Sequence, residues 1–245
     1  MRTSFFLLSL IAGMLTLSAP AAALTLLTEE NPPLNYTENN KVAGMATDVV
    51  REMSRRANVP IQIEVMVWGD AYKRAQVDKD TCLYSTARLA NRERIFKWVG
   101  PIAVNKWGLF AKSGFSQPIN TLADVRPFRI GGVTRDAKTE YLKQHGITNI
   151  FEVDDDKLNP PKLTLNRREP GRIDLWITSV ARAKQVAAQA GAPDVNLVFV
   201  VREVDSYLAC NPRTSGATLK ALSAALDGIK KDGTFRKILD RYESR

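Results

Sequence analysis

Arg88 and Arg92 stand four residues apart in Arg88-Leu-Ala-Asn-Arg92-Glu-Arg-Ile-Phe-Lys-Trp-Val-Gly-Pro101, directly after the apolar run Thr81-Cys-Leu-Tyr-Ser-Thr-Ala87. That run has the composition of a buried strand, and open α/β sheets bind ligands just beyond the carboxyl ends of their strands. A guanidinium placed there can grip a carboxylate through two parallel charge-assisted hydrogen bonds. The same residues would also make a basic, solvated turn, so the choice rests on what the rest of the chain brings to them.

Other chemistries are thin. His145 is the only histidine, which removes most metal and histidine-based catalytic schemes. It lies in Tyr141-Leu-Lys-Gln-His-Gly, a helix end running into a glycine stop, where a histidine faces the negative end of the helix. No phosphate-cradling glycine loop and no cysteine-pair zinc motif is present, so neither cofactor nor metal is expected. The formal net charge of +9 invites a nucleic-acid reading. The basic pairs Lys73-Arg74, Arg167-Arg168 and Lys230-Lys231 are dispersed and offset by nearby acids, which argues against nucleic acid and for solubility or attraction of small anions.

The start of the chain explains the surroundings it is built for. Arg2 precedes an apolar core from Phe5 to Leu17 and then Ala19-Pro-Ala-Ala-Ala23, the pattern of a secretory signal peptide cleaved after Ala23. No later stretch approaches the apolar length a membrane span requires. The two cysteines, Cys82 and Cys210, either pair in an oxidising compartment or sit as two small buried hydrophobes.

Apolar periodicity supplies the scaffold. A strand over 24–29 is broken by Asn31-Pro32-Pro33, a helix spans 45–57, an alternating strand spans 61–67, a short helix covers 69–76, and the cysteine-bearing strand follows. Strand-helix-strand order of this kind gives a mostly parallel sheet. A second unit repeats it: strand-like 109–111, a strand over 128–133, a helix over 136–144, a strand over 173–178, a helix over 179–189 and a strand over 195–201. A further strand-like run, 205–209, precedes Cys210. The tail is helical through Leu219, Leu222, Leu226 and Ile229, stopped by Gly233, with Thr234 capping a last helix. In Thr134-Arg135-Asp136-Ala137, at the start of a helix, free backbone N–H groups offer an anion site, or are capped by Thr134 or Asp136.

Five segments, in order, carry a resemblance across essentially all of the exported chain. They are Glu29-Glu-Asn-Pro-Pro-Leu-Asn-Tyr36, Val67-Trp68, the segment from Arg92 to Pro101, Gly171-Arg-Ile-Asp-Leu-Trp-Ile-Thr-Ser179, and Asp232-Gly-Thr-Phe-Arg-Lys-Ile-Leu-Asp-Arg-Tyr242. Together they resemble the type II (family 3) periplasmic solute-binding proteins of amino-acid ABC transporters. The resemblance implies an α/β fold of two lobes joined by two crossover strands, with residues 24–103 plus 206–245 forming lobe 1 and 104–205 forming lobe 2. It implies a monomer that takes a small carboxylate-bearing ligand between lobes that close like a hinge and hands it to a membrane permease. It also implies pairing of Cys82 with Cys210, because the family's returning strand runs beside the one carrying Cys82.

The resemblance makes Arg92 the carboxylate clamp, Trp68 an apolar wall of the cleft or a core residue, and Tyr36 an aromatic of the opening loop or a surface tyrosine. Arg88 either adds a second cation to the cleft or braces a loop. Arg135, Asp136 and Ala137 supply the helix start, and Asp136 or Glu29 could receive a ligand ammonium. The sequence departs from the family at three places: Ser85 stands where glycine is common, Ala87 where a hydroxyl residue is common, and Ser179 where an aspartate usually pairs with an α-ammonium. The implied ligand is therefore a small anionic or polar solute rather than an ordinary α-amino acid. A cleft enzyme of dehydratase type, using Glu29 or Asp136, and an orphan sensory receptor are the alternative functions of such a scaffold.

Overall fold

The structure, a computed structural model, describes residues 23–243; the signal-peptide reading falls on residues outside that range. In chain order, β1 (Leu24–Thr28) leads through a small hairpin, β2 (Tyr36–Glu38) and β3 (Lys41–Ala43), into α1 (Met45–Ala57). Gly44 makes that entry possible. Its φ is 118°, and a side chain there would meet the Leu34 carbonyl oxygen at 2.5 Å, so no other residue fits without shifting backbone. Next come β4 (Ile61–Val65), α2 (Trp68–Val77), β5 (Thr81–Ala87) and the long β6 (Lys97–Lys112). The second unit holds β7 (Ile130–Val133), α3 (Ala137–Gln144), β8 (Ile150–Val153), α4 (Asn159–Thr164), β9 (Leu175–Ser179), α5 (Ala183–Gln189) and β10 (Val195–Cys210). Helices α6 (Gly216–Lys231) and α7 (Thr234–Glu243) end the described chain. None of the described helices is long and apolar enough to cross a membrane.

The eight long strands form one sheet in the order β4-β1-β5-β10-β6-β9-β7-β8. Pairing is parallel within each unit, β1 with β4 and β5, and β7 with β8 and β9. It is antiparallel where β10 meets β5 and β6 and where β6 meets β9. The sheet is thus mixed, and the antiparallel part belongs to the two crossovers.

Here the structure corrects the sequence-derived elements. The strand-like 109–111 is the end of the sixteen-residue β6, and the separate runs at 195–201 and 205–209 are one strand, β10. At roughly 3.3 Å per residue each spans about 50 Å, enough to run through both lobes. Exposed charged residues such as Arg202 and Glu203 interrupt the apolar pattern and make one strand read as two. The predicted helix over 179–189 begins only at Ala183, leaving Val180-Ala-Arg182 as a turn.

Each lobe buries the sheet between helices. In the first, α1, α6 and α7 cover one face through Val49, Met53, Leu222, Leu226 and Ile238, and α2 covers the other by packing Trp68, Ala71 and Tyr72 against Leu27 and Leu83 of the sheet. In the second, α3 packs by Leu142 against Leu109 and Ile177, while α4 and α5 pack by Leu163 and Val186 against Phe110 and Trp176. Cys82 and Cys210 face each other in register on β5 and β10 and are bonded. His145 caps the carboxyl end of α3, its Nδ1 2.8 Å from the Tyr141 carbonyl, as the helix-end reading expects.

Candidate functional site

The lobes meet face to face at the carboxyl ends of β1 and β5 and at the start of α3. The Trp68 indole N–H donates to the Arg135 carbonyl at 2.9 Å, and Arg92 Nη2 donates to the same oxygen at 2.8 Å. Arg135 presents that oxygen from a left-handed backbone, φ 58°, a conformation unfavourable for a side-chain-bearing residue. Its own side chain is exposed, so its contribution is the carbonyl. From the other side of the cleft, Arg182 Nη1 donates to the Glu30 carbonyl at 2.6 Å.

Beside these contacts is a small cavity of about 20 Å³, lined by Glu29, Asn31, Trp68, Ser85, Ala87, Asn105, Trp107, Asp136, Ala137, Lys138, Val204 and Ser206. That is room for about one water, so the lobes are closed upon each other. Six residues singled out in the sequence meet here: Glu29, Trp68, Ser85, Ala87, Asp136 and Ala137. The lining is polar and incompletely satisfied. Ser206 Oγ and Asn31 Oδ1 are buried without a hydrogen-bond partner in the protein, a costly state for groups that water would otherwise solvate. Ser206 lies at a register shift of β10 against β6, and such bulges re-aim side chains. A wider cleft of about 380 Å³ opens alongside, with Glu29, Glu30, Tyr36 and Trp68 on the first lobe and Asp154 to Lys157 and Arg182 on the second.

Arg92 is fully buried but stands one layer behind this cavity. Its guanidinium lies over the rings of Tyr72 and Trp68, at 5.0 and 5.8 Å from their centroids, and pairs with Glu140 at 2.9 Å. Its Nη1 has no partner in the protein. Arg88 is elsewhere: it pairs with Glu93 and lies over Trp98 and Tyr207, and it lines a groove beside β10 rather than the cavity. Ser179, buried on β9, donates to Asn105 Oδ1 at 2.7 Å, so it holds a cavity residue in place. Ser85 takes φ 59°, the left-handed region that glycine favours, and its hydroxyl donates to Asn35 Oδ1 at 2.5 Å. The local backbone accounts for the glycine it replaces.

At the start of α3, Asp136 provides the cap: its Oδ1 accepts from the Lys138 backbone N–H at 2.7 Å, while Thr134 turns its hydroxyl to Val153. Asp136 Oδ2 also holds the Lys138 ammonium at 2.8 Å, with both side chains 6% exposed. Deeper in the second lobe, Asp156 receives Arg182, the Trp176 indole N–H and the Thr178 hydroxyl. Burial opposes its charge, but the Arg182 guanidinium prevails and holds its carboxyl below the usual range. Glu29, 3.6 Å from Arg182, is the opposite case. Burial raises its carboxyl above the ordinary value, and Arg182 and Lys138 only partly offset that.

The sequence from residue 24 to 244 matches the bacterial extracellular solute-binding proteins, family 3. The chain belongs to that family. A curated relative, the probable amino-acid-binding protein YxeM of Bacillus subtilis (strain 168), is 21% identical over 229 residues, covering 88% of this chain and 81% of its own. Among solved structures, a histidine kinase sensor domain with similarity to periplasmic binding proteins superposes with a TM-score of 0.77 at 16% identity, covering 90% of this chain and 96% of the other. An ancestral arginine-binding protein bound to arginine gives 0.72 at 19% identity, covering 90% and 97%. These likenesses establish the two-lobed fold of this family-3 solute-binding protein, with two crossover strands and a helical tail.

Sequence reasoning missed Asn31, Asn105, Lys138, Arg182 and Ser206. Lys138 carries a readable signal, because a cation in the first turn of a helix opposes the helix dipole and asks for a reason. Arg182 follows the carboxyl end of β9, where ligand sites gather. Asn105 and Ser206 lie inside crossover strands, and only tertiary pairing turns them toward the cleft.

Proposed function

We propose that this protein is exported to the periplasm, captures a small carboxylate-bearing or polar solute between its lobes, and delivers it to a membrane permease. The hinge lies where β6 and β10 pass between lobes, with residues 24–103 plus 206–245 as one body and 104–205 as the other. The observation that carries this reading is the small polar cavity at the lobe contact, where Ser206 Oγ and Asn31 Oδ1 have no protein partner. Orphaned polar groups gathered at a closing interface are the mark of a site completed by a guest. Arg92 supports the carboxylate, since one of its donors is also unpaired within the protein. Opening of the lobes would admit the solute, and closure would bury it, with binding energy spent on closure rather than on covalent chemistry.

The test is mass spectrometry of what leaves the protein on denaturation after purification from periplasm, followed by calorimetry with the compound found. A small carboxylate that rebinds with one-to-one stoichiometry supports the reading. An apolar ligand, or conversion of the compound on incubation, would overturn it in favour of a different cargo or of an enzyme.

A further inference from the structure

The geometry points to Lys138 as the specificity-determining residue of the cleft, a built-in ammonium that excludes α-amino acids and selects carboxylates bearing a hydroxyl or carbonyl oxygen in place of the amino group. The inference rests on the proposed capture of a carboxylate between the lobes and names the class that the same site would accept.

An α-ammonium needs an acceptor that carries negative charge, and the two carboxylates lining the cavity both already face cations: Glu29 lies 3.6 Å from Arg182, and Asp136 is held by Lys138. Both oxygens of Asp136 are engaged by Lys138, one by its backbone N–H at 2.7 Å and one by its ammonium at 2.8 Å. The pair is buried, so a second ammonium arriving beside it would meet like charge with little water to screen it. Ser179 offers no substitute, because its hydroxyl is neutral and is committed to Asn105. What the cavity does offer suits oxygen. The Lys138 ammonium has three N–H donors, of which one faces Asp136. The Ser206 hydroxyl, 1% exposed and without a protein partner, can donate to or accept from a hydroxyl or carbonyl. Asn31 Oδ1, equally unpartnered, accepts from an O–H. With the lobes parted, a 2-hydroxy or 2-oxo acid whose chain runs into the adjoining cleft of about 380 Å³, past Glu29 and Trp68, satisfies these groups, whereas an α-amino acid brings its ammonium up against that of Lys138.

The experiment is calorimetry with matched sets that share one carbon skeleton: glutamate, 2-hydroxyglutarate and 2-oxoglutarate; leucine and its 2-hydroxy and 2-oxo acids; phenylalanine and its two counterparts. Wild-type protein should bind the amino-free member of at least one set about tenfold or more tighter than the amino acid. Lys138→Gln and Lys138→Met, which free Asp136, should narrow or reverse that gap by a similar factor. If Lys138→Met fails to fold, Lys138→Met with Asp136→Asn keeps the charge balanced and should still shrink the gap. Wild-type protein binding the amino acid as tightly as its amino-free partners would overturn the inference and leave carboxylate capture standing. A wild-type gap that survives every Lys138 variant would overturn the assignment to Lys138. Failure of wild type to bind any member would overturn carboxylate capture itself, and the inference with it.

Discussion

Arg92 of the first lobe and Glu140 of α3 form an ion pair across the cleft, 2.9 Å apart, with Arg92 wholly buried. A carboxylate of the second lobe therefore occupies part of the guanidinium that the family resemblance assigns to a ligand carboxylate. Breaking this pair should loosen the closed arrangement and release the guanidinium. Glu140→Gln is expected to tighten carboxylate binding by about 1 kcal/mol, roughly fivefold, because the ligand no longer competes with an internal anion. Calorimetry with the solute recovered from the native protein checks this; equal or weaker binding would show that the pair does not compete.

Arg92→Ala should act in two ways. Loss of a desolvated, charge-assisted contact is expected to weaken carboxylate binding by about 2–5 kcal/mol. The guanidinium also packs on Tyr72 and Trp68 and ties the lobes through Arg135, so the melting temperature should drop as well. Arg92→Lys separates the effects by keeping the charge while losing the fork. Affinity unchanged in a folded Arg92→Ala protein would remove Arg92 from the site.

Glu29 gives a pH signature. Its folded carboxyl titrates above the ordinary value of 4.5 because it is buried. Between 4.5 and that raised value the folded state holds a proton that the unfolded state has released, so this residue's contribution to stability falls as pH rises. Glu29→Gln cannot lose a proton. Denaturant unfolding should find variant and wild type closest below pH 4.5, with the variant gaining relative to wild type as pH increases. A pH-independent difference would mean that Glu29 titrates normally.

The Cys82–Cys210 bond closes a loop with a sequence separation of 128 and ties β5 to the end of β10. Replacing both residues with serine should cost roughly 3–5 kcal/mol by the chain-entropy argument. Denaturant midpoints with and without reductant measure it. Thiol titration of denatured periplasmic protein should find no free thiol, and two would reject the bond.

Much of the scaffold was legible because it follows from local rules. The alternation of 61–65 and the apolar spacing of 45–57 each depend on one face being buried, and β4 and α1 appear where those patterns lie. The strand carrying Cys82 and the glycine stop at Gly233, φ 79°, are equally local. Glu29 and Trp68, from two of the segments that resemble the family, meet Asp136 at the start of α3 in one cavity. The length of β6 and β10 was not legible, since a strand crossing between lobes is alternately buried and exposed along its course.

Charge pairing is the part that only the tertiary structure decided. Arg88 and Arg92 look alike in sequence, yet one lies on a surface groove with Glu93 and the other is sealed between Tyr72, Trp68 and Glu140. Which carboxylate serves which cation depends on distances of 3 to 4 Å between residues far apart in the chain, as with Arg182 and Glu29. Asp136 shows the boundary: its place as the cap of α3 is written in the local sequence, whereas its burial beside a cavity, together with its Lys138 partner at 2.8 Å, is set by tertiary packing. Local sequence sets backbone preference and amphipathic faces; desolvation, which decides what a buried charge can do, belongs to the assembled fold.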